Sequence, residues 1–93
     1  MPDERLEERH LELLRAIDEV AQRDAAGVAT MYRTAEKVGL DAVCKEADRQ
    51  EFVRLVIDLE EAGYVDVEGI TYKGLRASYS VTEEGHRRLE QQS

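Results

Sequence analysis

The side chains able to do chemistry are few and scattered. The chain of 93 residues has one cysteine, Cys44, and two histidines, His10 and His86. A reactive cysteine needs an electropositive setting that favours its thiolate. Lys45 stands beside Cys44, but Glu46 follows and opposes that field. A redox sensor is one reading of Cys44. A small buried or half-buried structural residue is the other, and the local charge favours it. There is no Cys/His metal spacing, no glycine-rich phosphate loop and no nucleophile elbow. The 21 carboxylates recur at helical intervals among arginines, as on solvated helix faces. The chain therefore reads as a binding protein, not an enzyme, and implies no cofactor and no metal.

Charge bears directly on what it binds. Thirteen Lys and Arg against 21 Asp and Glu leave a net charge of −8. A DNA binder draws much of its affinity from cations that neutralise phosphates. An acidic chain can do this only if its cations gather on one face. The excess acid is concentrated: residues 1–24 hold eight acids and four bases, and residues 48–63 hold five acids and two bases. Residues 25–47 and 64–81 are balanced. No segment is basic, so the electrostatic footprint of a nucleic-acid binder is weak.

Hydrophobic periodicity supplies the elements that must position these groups. Leu6, His10, Leu13, Leu14, Ile17, Val20 and Ala21 recur at helical spacing and predict a helix over residues 5–23. Gly27 suits the left-handed residue past its end. A shorter helix runs from about Thr30, a good N-cap, to Val38, with Gly39 stopping it and Leu40 tucking back. Residues 41–47 read as a helical turn or a structured loop. The third helix, 48–62, is the clearest. Asp48 and Glu51 have capping-box spacing, and Phe52, Leu55, Val56 and Leu59 form its buried stripe. Val65 and Val67 then alternate with Asp66 and Glu68. Leu75, Ala77, Tyr79 and Val81 alternate with Arg76, Ser78 and Ser80. With Gly69 and Gly74 between them, these runs predict a two-stranded hairpin whose tip lies near residues 69–74. Thr82 caps a last short helix, with Leu89 packing inward. Residues 1–4 and 91–93 read as frayed ends.

The reading is one α+β domain, mainly α, over residues 1–93: a three-helix bundle, a two-stranded hairpin and a short C-terminal helix. A domain of this size buries roughly 60 to 70% of the surface its unfolded chain exposes. Dimerisation would add to that, so a homodimer is expected. The single cysteine and the absence of an apolar leader or a membrane-spanning run fit a cytoplasmic setting.

Two stretches carry a family resemblance. Residues 55–65, LVIDLEEAGYV, and residues 79–90, YSVTEEGHRRLE, look like the end of the recognition helix, the wing and the following helix of bacterial winged helix-turn-helix regulators of the MarR and PadR kind. The resemblance implies a transcriptional regulator with its third helix in the major groove of double-stranded DNA and its wing tip on the backbone. Carried over by position, Arg49, Gln50 and Arg54 are the base readers, Lys73 and Arg76 contact the backbone from the wing, and Arg33 and Lys37 reach phosphates from the second helix. Arg pairs with guanine edges and Gln with adenine. In a dimer the third helices would enter successive major grooves about 34 Å apart. The segment 41–47 lengthens the place where the turn of the motif belongs. Val53 and Ile57 lie off the core stripe, where apolar groups suit thymine methyls or a protein surface. The alternative is thus a winged-helix protein-interaction module with a contact patch on Val53, Ile57 and the 41–47 segment around Cys44.

Overall fold

The computed structural model describes residues 8–69 and 78–91. Its elements run in the order α1 (Glu8–Arg23), β1 (Ala29–Thr30), α2 (Met31–Lys37), α3 (Glu46–Glu61), β2 (Val65–Glu68), β3 (Ser78–Val81) and α4 (Glu83–Gln91). The architecture is α+β, mainly helical, with a small antiparallel sheet. Among the described residues no helix is long and apolar enough to cross a membrane.

The core forms where the helical stripes meet. Helix α1 buries Leu13, Leu14, Ile17 and Val20, and α3 buries Phe52, Leu55, Val56 and Leu59. Burying one such side chain contributes about 1.5–3 kcal/mol, so α3 is held by one face and leaves the other uncovered. Phe52 also packs on Tyr79 of β3, with ring centroids 5.7 Å apart and a tilt of 57°. Such tilted pairs bring edge toward face, which the ring quadrupoles favour.

Helices α2 and α3 end alike. Gly39 and Gly63 take positive φ, 76° and 85°. Leu40 N–H then returns to Ala35 O at 2.9 Å, and Tyr64 N–H to Leu59 O at 3.0 Å. This wrap satisfies carbonyls that would otherwise lack partners, and it tucks the residue after the glycine inward. Leu40 is buried as a result.

The sheet differs from the expected two-stranded hairpin. It has three strands in the order β1-β3-β2. Val65 pairs with Val81 and Val67 with Tyr79, while Ala29 pairs with Tyr79 on the opposite edge. A two-residue strand has too few positions to show alternation, and its partner is remote in sequence, so β1 is invisible to local pattern.

The start of α3 also differs. The helix begins at Glu46, with Lys45 at the N-cap position and no side-chain cap bond. Asp48, expected as the cap, lies inside the first turn. Its carboxylate accepts the Asp41 N–H at 2.8 Å instead. Asp41 in turn accepts the Cys44 N–H on its side chain and the Lys45 N–H on its carbonyl, both at 3.0 Å. Residues 41–45 thus form a closed turn, with Ala42 pressed into the core, and residues 46 and 47 belong to α3. Thr30 does stand at the N-cap position of α2, without a side-chain cap bond.

The root of the hairpin is clamped to α4. Thr82 Oγ1 accepts the Gly85 N–H at 3.0 Å, as an N-cap does, and donates to Gly63 O at 2.6 Å. Thr82 N–H donates to Tyr64 O at 3.0 Å. One residue therefore joins the exit of α3, the start of β2 and the first turn of α4.

Candidate nucleic-acid interface

The uncovered face of α3 forms a shallow groove of about 380 Å³ lined by Glu46, Arg49, Gln50, Val53, Arg54, Ile57 and Asp58. The groove follows from helical spacing. Positions 50, 53, 54 and 57 fall on the side opposite Leu55 and Leu59. Ile57 is 46% exposed, large for an isoleucine, and Gln50 is exposed. Val53 is not free of the core as its position off the stripe suggests. It is half-buried and packs against the core cluster.

The two arginines of this face are engaged by acids of their own helix. Arg54 Nη2 lies 3.5 Å from Glu51 Oε1, and its Nη1 lies 3.7 Å from Asp58 Oδ2. Arg49 lies 4.0 Å from Glu46, and its side chain is only 19% exposed. Exposed pairs of this kind contribute up to about 1 kcal/mol. They are weak enough to exchange partners, but they spend part of the arginines' charge within the helix. Gln50 engages no side-chain partner among the described residues.

The cations of α2 lie elsewhere. Arg33 and Lys37 line a second groove, of about 460 Å³, together with Val20, Arg23 and Glu36. No residue lines both grooves among those described. Lys37 Nζ lies 3.3 Å from Glu19, whereas Arg33 has no ion pair among the described residues. Arg23 carries no signal for this grouping in the sequence, because it sits on a different helix. Only the crossing of α1 and α2 brings it beside Arg33 and Lys37. Lys73 and Arg76, the expected wing contacts, lie outside the described residues.

Cys44 is exposed on the 41–45 turn, not buried or half-buried. The Asp41 bonds turn it outward, and the groove on α3 does not include it. Val43 beside it is 64% exposed. Of the expected protein-contact patch, Val53 and Ile57 line the α3 groove together with Glu46 of the 41–47 segment, while Cys44 lies on the turn outside that lining.

His10 is almost fully buried on α1, and its Nε2 lies 2.8 Å from Asp58 Oδ2. His86 is exposed on α4, with Nε2 3.1 Å from Asp18. Among the described residues Tyr79 is the one group whose titration is clearly displaced: burial pushes its hydroxyl up to about 12, because a buried phenolate loses its hydration. Among the described residues no group of three or more His, Cys, Asp or Glu is arranged to hold a metal ion. No protein-family model, curated protein or solved structure matches the chain.

Proposed function

We propose that the chain is a winged-helix DNA-binding protein, a transcriptional regulator of the cytoplasm. In this reading α3 enters the major groove and the β2–β3 hairpin serves as the wing. The observation that carries it is the uncovered face of α3, on a helix anchored by its other face and preceded by α2 across a closed turn. The strand pairing beside it is of the kind a wing requires. Arg33 is available for phosphate contact, with Arg23 and Lys37 as neighbours. A homodimer would present two such helices about 34 Å apart, one turn of duplex.

The test is affinity for random duplex DNA at low and moderate salt. Binding through several phosphates weakens steeply as salt rises, because condensed counterions are released on association. Absence of binding at low salt would end this reading. Sedimentation at high concentration tests the dimer, and a monomer there removes the paired-groove geometry.

A second reading is favoured by one observation. Glu51 and Asp58 hold Arg54, and Glu46 holds Arg49, so the face of α3 is apolar at Ile57 and carries three acids against two arginines around it. Such a surface suits a protein partner. In that case the chain is an interaction module that ignores DNA.

A further inference from the structure

We propose that α3 reads A·T base pairs, with Gln50 on adenine and Ile57 on a thymine methyl, in preference to guanine through its arginines. This rests on the DNA-binding reading and says which bases that site takes. The major groove presents guanine as two acceptors, adenine as an acceptor beside a donor, and thymine as an acceptor beside a methyl. Guanine therefore wants a guanidinium. Both guanidinium groups on this face already have carboxylate neighbours: Arg54 lies 3.5 Å from Glu51 and 3.7 Å from Asp58, and Arg49 is largely covered beside Glu46. Guanine must compete with those acids, and their negative charge stands against its two acceptors.

Gln50 and Ile57 have no such competitors among the described residues. The Gln50 amide is exposed and has a donor and an acceptor, the complement of adenine's edge. Ile57 offers an apolar surface, 46% exposed, that water covers at a cost. Gln50 and Ile57 are two helical turns apart with Val53 between them. At 1.5 Å per residue they span about 10 Å along the axis. That is about the rise of three base pairs. A thymine methyl set against Ile57 removes apolar surface from both molecules, and the Gln50 amide on an adenine about three base pairs away fixes the register.

The experiment compares duplexes of one A·T-rich sequence made with thymine or with deoxyuridine, which lacks only the methyl, at low salt. A G·C-rich duplex of equal length is the third arm. The expected result is tightest binding to the thymine duplex. Each contacted methyl lost should weaken binding roughly threefold to fourfold, the equivalent of one buried carbon. The difference between thymine and deoxyuridine should vanish in Ile57→Ala. The preference for A·T over G·C should shrink in Gln50→Ala. Both substitutions sit on the exposed face and leave the core intact. Equal affinity for thymine and deoxyuridine duplexes, or tighter binding of the G·C duplex, overturns this inference alone. Failure to bind any duplex overturns the DNA-binding reading and this inference with it.

Discussion

His10 and Asp58 join α1 to α3 through a bond of 2.8 Å between Nε2 and Oδ2, and the same carboxylate oxygen lies 3.7 Å from Arg54 Nη1. A buried imidazole thus holds an acid that faces the groove. Bonds with a charged partner are stronger than neutral ones, and this one ties α1 to α3 from the same buried stripe that carries Leu13, Leu14 and Ile17. His10→Ala removes the bond and opens space at the helix crossing. The expected loss is about 2–4 kcal/mol in urea unfolding. His10→Gln, which keeps a donor, should lose less. An alanine variant within about 0.5 kcal/mol of the parent would mean that the bond does not contribute.

Gly85 has no room for a side chain. A Cβ there meets the Tyr64 carbonyl oxygen and lies 2.6 Å from Val81 Cγ1. Gly85→Ala must push α4 off the root of the hairpin. The expected loss of stability is about 1–3 kcal/mol, even though alanine is the better helix former. Calorimetric melting decides the sign, and a stabilised variant would contradict the close approach.

Thr34 presents the opposite case. It is fully buried on α2, and its Oγ1 has no hydrogen-bond partner among the described residues. A buried hydroxyl without a partner costs about 1–3 kcal/mol. Thr34→Val keeps the branch and replaces the hydroxyl with a methyl. It should raise stability by roughly 1 kcal/mol, read as a higher urea midpoint at unchanged slope. A clear loss would show that the hydroxyl is satisfied after all.

Tyr79 contributes a pH dependence in alkali. Its hydroxyl titrates near 12 in the fold because burial disfavours the phenolate, against about 10 in an unfolded chain. The unfolded state therefore gives up this proton first. The contribution of the raised value is fully present below about pH 10 and is lost as pH rises from there through about 12. Phenolate absorbance should show one of the four tyrosines titrating late. In Tyr79→Phe the late step should disappear and the fall in stability above about pH 10 should be shallower. A late step that survives in that variant belongs to another tyrosine.

Arg33 offers the simplest test of the phosphate contacts. It is exposed and has no ion pair among the described residues, whereas Lys37 must leave Glu19 to reach a phosphate. Arg33→Ala should weaken binding about equally for all duplexes and lower the salt slope by about one. Lys37→Ala should do less. A change in sequence preference without a change in slope would move Arg33 from the backbone to the bases.

Much of the frame was legible in the residues because it depends on local repetition. The stripe of Phe52, Leu55, Val56 and Leu59 and the alternation of Val65 and Val67 each need only a few neighbours to declare an element. Glycines after α1, α2 and α3 marked the ends, since few other residues accept that backbone. Asp48 departs from the expected cap for an equally local reason. Its spacing to Glu51 suits a capping box, but a carboxylate bonds whichever donor the fold brings near, and that donor is the Asp41 N–H.

The candidate site was legible only in part. Helical spacing was enough to put Gln50, Arg54 and Ile57 on one face. It did not reveal that Glu51 and Asp58 engage Arg54, that Arg49 is mostly covered, or that Arg23 joins Arg33 and Lys37.

The sequence by itself determined the four helices, the strands at Val65 and Tyr79, the glycines that end α2 and α3, and how far acids outnumber bases, because these depend on residues within a turn or two of one another. Tertiary structure alone decided the third strand at Ala29, the bond from His10 to Asp58, the outward turn of Cys44 and the separation of the α2 cations from the α3 groove. Each of these joins groups distant along the chain, or orients one through such contacts. Their meeting is set by how whole faces pack, which no local pattern encodes.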